Sequence, residues 1–248
     1  MPGALFVLIG VALVAVGCWK LRPVYHVYSG GIDDVVSVER AETPVELEGT
    51  ATAAEETISS PLTGTDCLVY EYEVEEHQSS GNGSSWNTVA EGAAAVPFRL
   101  EDDTAGVRVE PEEADCALST AVTVGVDGGE QEPTQVEEFL ETESELESEN
   151  RSIDLGVVEV STGNNRRYYE RRLDPGEDVY VFGQSHYDID ARETMRDVGA
   201  VIEDGPETPA FVVADSCQYV AAKRLARPGL RWTGGGVLAA AIGLLLLV

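Results

Sequence analysis

The sequence predicts a mainly β body, barrel-like or a sandwich, with one or two short helices, bracketed by two transmembrane α-helices. Both ends of the chain are uncharged apolar stretches, the segment between them repeats the period-two alternation of half-buried strands, and turn residues punctuate those strands at regular spacing. The clearest alternation follows the turn at 59–65, where Leu68, Tyr70, Tyr72 and Val74 interleave with Glu71, Glu73 and Glu75. One face of such a strand enters a core and the other meets water.

From the amino terminus, no charge precedes Lys20, so a helix over residues 2–22 is long enough to span a bilayer, with Trp19, Lys20 and Arg22 at the interface. A cleaved signal peptide is the competing reading, opposed by the lack of a basic leading region. Cys18 has a faint likeness to a lipid-attachment site, but Ala15 stands where a bulkier aliphatic residue is usual. At the other end, residues 230–248 carry a second apolar stretch behind Arg231 and Trp232. The body is therefore expected between two spans, over residues 24–228.

The bases lie on the body's side of both helices: Lys20 and Arg22 after the first, and Lys223, Arg224, Arg227 and Arg231 before the second. The positive-inside rule then places the body in the cytoplasm of a two-span cell-membrane protein. Two N-x-S triplets, at Asn82 and Asn150, matter only if the body faces outward. Gly10, Gly17 and Gly243 offer small surfaces through which the helices pair, in an oligomer if the pairing runs between chains.

Inside the body, strands are expected over 45–53, 67–77 and 86–100, the last two joined by the mobile loop QSSGNGSS. Val107 and Val109 continue the pattern, as does CALSTAVTV from Cys116. An acidic run then extends from Glu110 to Glu149 without a single Lys or Arg, and within it PTQVEEFLETESELE reads as a helix capped by Thr134, with Val136, Phe139, Leu140 and Leu146 as its stripe. Strand patterns resume at Gly156, at Arg166–Leu173 and, after the turn DPGE, up to Gly183; two more cover 198–203 and 209–215. Ser216 is placed to cap a short helix leading to the membrane.

The charge narrows the function. Asp and Glu number 45 against 16 Lys and Arg, for a net charge of −29. Acid spread over the whole chain, with lysine nearly absent, suits a halophilic surface in concentrated salt. It disfavours nucleic acid, since no basic face offers counterion release. Cys18, Cys67, Cys116 and Cys217 form no CxxC pair, which excludes a zinc ribbon or RING by local spacing. The three in the body read as reduced, buried thiols, or as one pair plus a free thiol.

No nucleophile elbow, phosphate loop, dinucleotide fingerprint or metal-ligand spacing is present, so neither a catalytic residue, a metal nor a cofactor is expected. Two weaker clusters remain as binding candidates. Arg166, Arg167, Arg171 and Arg172 form the only basic cluster of the body, suited to pairing with the acidic helix or another surface acid, or to gripping an anion. Asp188 and Asp190 in HYDID resemble a carboxylate pair, with His186 two residues away on the same strand face, and read as a solvated loop or as a cluster that binds metal or does acid-base work.

The segments GTA (49–51), SSPLTGTDCLVYEYEVEE (59–76), VPFRLEDDTAGVRVEP (96–111), VEEFLE (136–141) and YYERRLDPGEDVYVFG (168–183) resemble, in order, the GIDE domain, also called the beside-a-membrane domain. The likeness covers residues 35–230 and extends to the flanking helices. In the mitochondrial outer-membrane RING-type E3 ubiquitin ligases that carry it, the resemblance implies an anchored, β-rich domain that recognises a substrate or partner, while the activity belongs to a RING beyond the second helix. This sequence reaches Val248 without a RING, so the expectation is a non-catalytic module binding an unidentified protein or ligand. The alternatives are a component of a ubiquitin-like transferase system, or an unrecognised enzyme using His186, Asp188 and Asp190, with Cys67 as a further candidate. The matching positions imply roles in the fold: Ser60, Pro61, Leu62, Gly64 and Cys67 around the first turn, Pro97 and Phe98 at a strand start, Pro175, Gly176 and Gly183 around the second turn, and Tyr180 facing a core.

Overall fold

The computed structural model describes residues 2–22, 24, 31–40, 44–80, 83–130, 132–142, 151–154, 159–192, 194–208, 210–216 and 218–246. Its strands are β1 (Pro44–Ala53), β2 (Ile58–Ser59), β3 (Asp66–Cys67), β4 (Val69–Ser80), β5 (Gly83–Ala95), β6 (Phe98–Glu101), β7 (Gly106–Val109), β8 (Asp115–Cys116), β9 (Thr120–Val126), β10 (Arg151–Asp154), β11 (Glu159–Thr162), β12 (Arg166–Leu173), β13 (Asp178–Tyr187), β14 (Asp197–Glu203) and β15 (Val212–Ala214). The helices are α1 (Pro2–Lys20), α2 (Thr134–Thr142) and α3 (Gln218–Leu245), with 3-10 turns at Val35–Arg40 and Ile189–Ala191.

The body is mainly β and its larger sheet is a closed barrel. Strands β1, β6, β7, β14 and β13 follow one another, and β1 pairs again with β13 to close a ring of five. Alternate side chains point inward and fill it: Leu47 and Ala51 from β1, Phe98 and Leu100 from β6, Val107 and Val109 from β7, and Ile202 from β14 are all fully buried. The 3-10 turn that follows the first helix joins the same core through Val35 and Val38. Its backbone is tied to the barrel: Val35 N–H donates to Asp102 Oδ2 at 2.9 Å, and the Ser185 hydroxyl donates to the Val38 carbonyl at 3.0 Å.

A second sheet, in the order β5-β4-β12-β9, is joined to the barrel core by Leu68, Val69 and Leu173. Its inner face is covered by α2. Phe139 meets the Tyr72 ring edge-on at 5.0 Å and the Tyr168 ring at 6.2 Å, and Val136 packs in the same cluster as Val74. Edge-to-face contacts of this kind add about 0.5–1.5 kcal/mol to the area they bury.

Several boundaries differ from the sequence reading. The QSSGNGSS segment mostly continues the ladder, out to Ser80 opposite Gly83, so the predicted loop is largely strand. The predicted strand over 86–100 is two, because Pro97 has no N–H to keep in a ladder and lies between β5 and β6. In α2 the N–H groups of Val136 and Glu137 donate to the Pro133 carbonyl, which puts Thr134 inside the helix rather than at its cap. The short helix and the second apolar helix are one continuous α3 of 28 residues. Asn82, Asn150, Leu146, Cys217 and the start of the strand predicted from Gly156 lie outside the described residues.

Helices α1 and α3 pack antiparallel within the one chain through glycines. A Cβ on Gly10 would lie 2.6 Å from the Ala240 nitrogen, and one on Gly236 would lie 2.7 Å from the Gly10 carbonyl. Gly17 and Gly243 lie equally close to the facing helix. Among the described residues, no helix is long and apolar enough to cross a membrane.

Phe98, fully buried in the barrel, gives a direct check on that core. Phe98→Ala should lower unfolding stability by about 3–5 kcal/mol, read from denaturant unfolding of the full chain.

Candidate functional site

The turn at 60–65 and strand β12 meet at one carboxylate. Glu170 is fully buried, and an isolated charge there would be costly. Five donor contacts satisfy it. Leu62 N–H donates to Oε2 at 2.8 Å and Thr63 N–H at 3.2 Å, the Thr63 hydroxyl donates to Oε1 at 2.7 Å, and Arg172 Nη1 lies 2.8 Å from the same oxygen. Ser60 supplies a further side-chain hydrogen bond. Burial alone would raise the Glu170 pKa, but the bonds from Thr63, Arg172, Leu62 and Ser60 outweigh it and hold the carboxyl below its ordinary value.

The turn is shaped to present those donors. Gly64 sits at φ +64°, a left-handed conformation that glycine adopts without strain. Its N–H donates to the Ser60 carbonyl at 2.9 Å, the Ser60 N–H donates to the Thr65 carbonyl, and the hydroxyls of Ser60, Thr63 and Thr65 form a chain. Arg172 continues the network, with Nη1 donating to Thr63 Oγ1 at 3.1 Å and Nε donating to Asp174 at 2.9 Å. In the second turn, Gly176 takes φ +94°, and its N–H donates to the Ala51 carbonyl at 2.7 Å, tying that turn to the barrel. A Cβ on Gly183 would lie 2.7 Å from Ile202 Cγ2, so that position needs glycine for close packing.

The four arginines of the basic cluster divide by parity. Arg166 and Arg172 share the inner face with Tyr168 and Glu170, while Arg167 and Arg171 lie on the outer face. Arg166 reaches Glu76 Oε2 through Nε and Nη2, at 3.2 and 3.1 Å, in a buried pair. Arg171 donates to Glu73 at 2.8 Å, and Arg167 stacks over the Trp86 ring at 4.0 Å. Glu76 stands directly across the ladder from Arg166, and Glu73 lies diagonally from Arg171, whose register partner is Glu71; both acids belong to β4.

His186, Asp188 and Asp190 are arranged differently from the strand-face reading. Strand β13 ends at Tyr187, and Asp188 caps the 3-10 turn by accepting from the Asp190 N–H at 2.9 Å. His186 and Asp188 line an open acidic cleft of about 420 Å³ with Glu110, Glu112, Glu113 and Glu203. Asp190 is not among its lining residues. A larger cleft of about 670 Å³, missed in the sequence, lies beside Glu48, Glu101, Asp102, Asp178 and Ser216. Among the described residues no group of His, Cys, Asp or Glu is set to hold a metal ion.

Cys67 and Cys116 are free thiols. Burial, reinforced by Asp174, pushes Cys67 up to about 12, and burial beside Glu71 does the same to Cys116. The Cys67 thiol donates to the Ile58 carbonyl at 3.4 Å. A thiolate is the nucleophilic form, and these surroundings disfavour it.

A family model described as GIDE, E3 Ubiquitin ligase, matches residues 69–196. No curated protein and no solved structure matches the chain.

Three measurements check this site. Glu170→Ala should cost about 3–5 kcal/mol, because it removes one partner of a buried ion pair and leaves the Leu62 and Thr63 N–H groups without their acceptor. The pH dependence has a definite sign. With its folded pKa depressed, Glu170 contributes stability above the unfolded value of about 4.3 and loses it as pH falls through the folded value. Thermal unfolding should therefore show a steeper acid loss in the parent chain than in the variant. Cys67 should react with a maleimide at pH 8 far more slowly than a free thiol, and only denaturant should restore the ordinary rate.

Proposed function

This chain belongs to the GIDE family, and on that premise we propose that it is a membrane-anchored, non-catalytic module whose β body binds a protein partner. The observation that carries the anchoring is the surface of the helix pair. Large apolar side chains stay exposed along both helices, among them Leu8, Val11, Val237 and Leu244, whereas a helix of a globular body shows one apolar stripe and one polar face. Trp19 and Trp232 are both exposed near the body's side of the pair, the place of an aromatic belt. The lysines and arginines on that side support a cytoplasmic body.

The non-catalytic reading is supported by what the family motif does here. Its polar side chains, Ser60, Thr63, Glu170 and Arg172, satisfy one another within the fold. The two described thiols of the body are held in their protonated form.

Alkaline washing of native membranes checks the anchor: the full chain should remain in the pellet, and its release to the supernatant would contradict the proposal. Protease added to sealed cells should leave the body intact until the membrane is opened. Cleavage of intact cells would reverse the orientation.

A further inference from the structure

The outer face of the second sheet carries a charge pattern that stops one strand short. Across the ladder Arg167 faces Glu75 and Arg171 faces Glu71, and Arg171 also donates to Glu73. On the other side of β4 the next strand brings no base. Glu73 sits directly opposite Glu91 of β5, a like-charge pair, and such pairs destabilise a sheet. Burial raises the pKa of the adjacent Glu71, with Glu73, Asp115 and Glu91 adding to the rise and Arg171 opposing it.

Strand β5 is also an edge. Among the described residues its only strand partner is β4, and its 13 residues GSSWNTVAEGAAA hold one charge, Glu91, with no proline and no lysine to block a further strand. Thr88, Val89, Glu91 and Ala93 are exposed along it. The inner-face residues beside them are small: Ala90, Ala94, and Gly92, over which the Tyr72 ring lies.

We propose that β5 accepts an extended segment of a partner protein as a fifth strand of this sheet, and that basic side chains at alternate positions of that segment pair with Glu91 and Glu73. The added strand places bases beside the facing acids of β4 and β5, as β12 does from the other side, while its main chain bonds to the edge of β5. A second copy of β5 fits poorly, because it would bring its own Glu91 against this one. This deepens the binding reading above by naming the surface and the chemistry of the partner.

The test uses the full chain in nanodiscs at fixed salt and two fluorescent peptides of equal positive charge, one alternating lysine with valine, the other lysine with proline. The lysine–valine peptide should bind about tenfold or more tightly than the proline peptide, which attracts the acidic body but lacks the N–H groups a ladder needs. Glu91→Lys, which removes a repulsion within the fold, should abolish that preference while circular dichroism stays unchanged. Equal binding of the two peptides, absence of binding, or a preference that survives Glu91→Lys would overturn the proposal. Each of those results leaves membrane retention of the full chain as a separate test of the module reading.

Discussion

The buried carboxylate of Glu170 is the constraint on which the arrangement of the two sheets depends. A charge with no solvent contact requires donors from several directions, and here they come from the backbone of Leu62 and Thr63, a threonine hydroxyl and Arg172. The turn that provides them lies just before β3 and β4, and β12 carries the carboxylate itself. One side chain therefore fixes where the second sheet leaves the barrel. The same network orients Arg172 toward Asp174, at the start of the turn into β13, so both strands linking the sheet to the barrel are held at their junction.

The remaining charges follow from the two-residue period of strands. On β12, even-numbered residues face α2 and odd-numbered ones face outward. The inner pair Arg166–Glu76 is desolvated and gains from a two-nitrogen approach, whereas the outer pairs are partly solvated and individually worth little. A chain with 45 acids and 16 Lys and Arg cannot pair every carboxylate, and the cost shows at the β4–β5 edge, where two glutamates face each other.

Much of this was legible in the sequence where the pattern is local. The alternation at 68–75 located β4 and its faces, and Gly64 and Gly176 marked the two left-handed turns. Closure of the barrel was not legible, because a barrel and a sandwich show the same alternation and only the pairing of β1 with β13, distant in the chain, separates them. The role of Glu170 was missed although a signal existed: it is the lone acid in RRYYERRL and shares parity with Tyr168 and Arg172. That parity also predicts the division of the arginines into two pairs, which reading them as one basic cluster obscured. The split of HYDID between strand and 3-10 turn depends on Asp188 capping, which nothing in its neighbours' hydropathy announces.

The claim that the family turn serves as a clamp on a buried carboxylate is tested most directly by native-state hydrogen exchange of the full chain at two amides. If Leu62 and Thr63 N–H donate to Glu170, both should exchange only with global unfolding, as slowly as the barrel strands, despite lying in a turn. Exchange at the rate of an exposed loop would contradict the account and leave the turn without its role in holding the two sheets together.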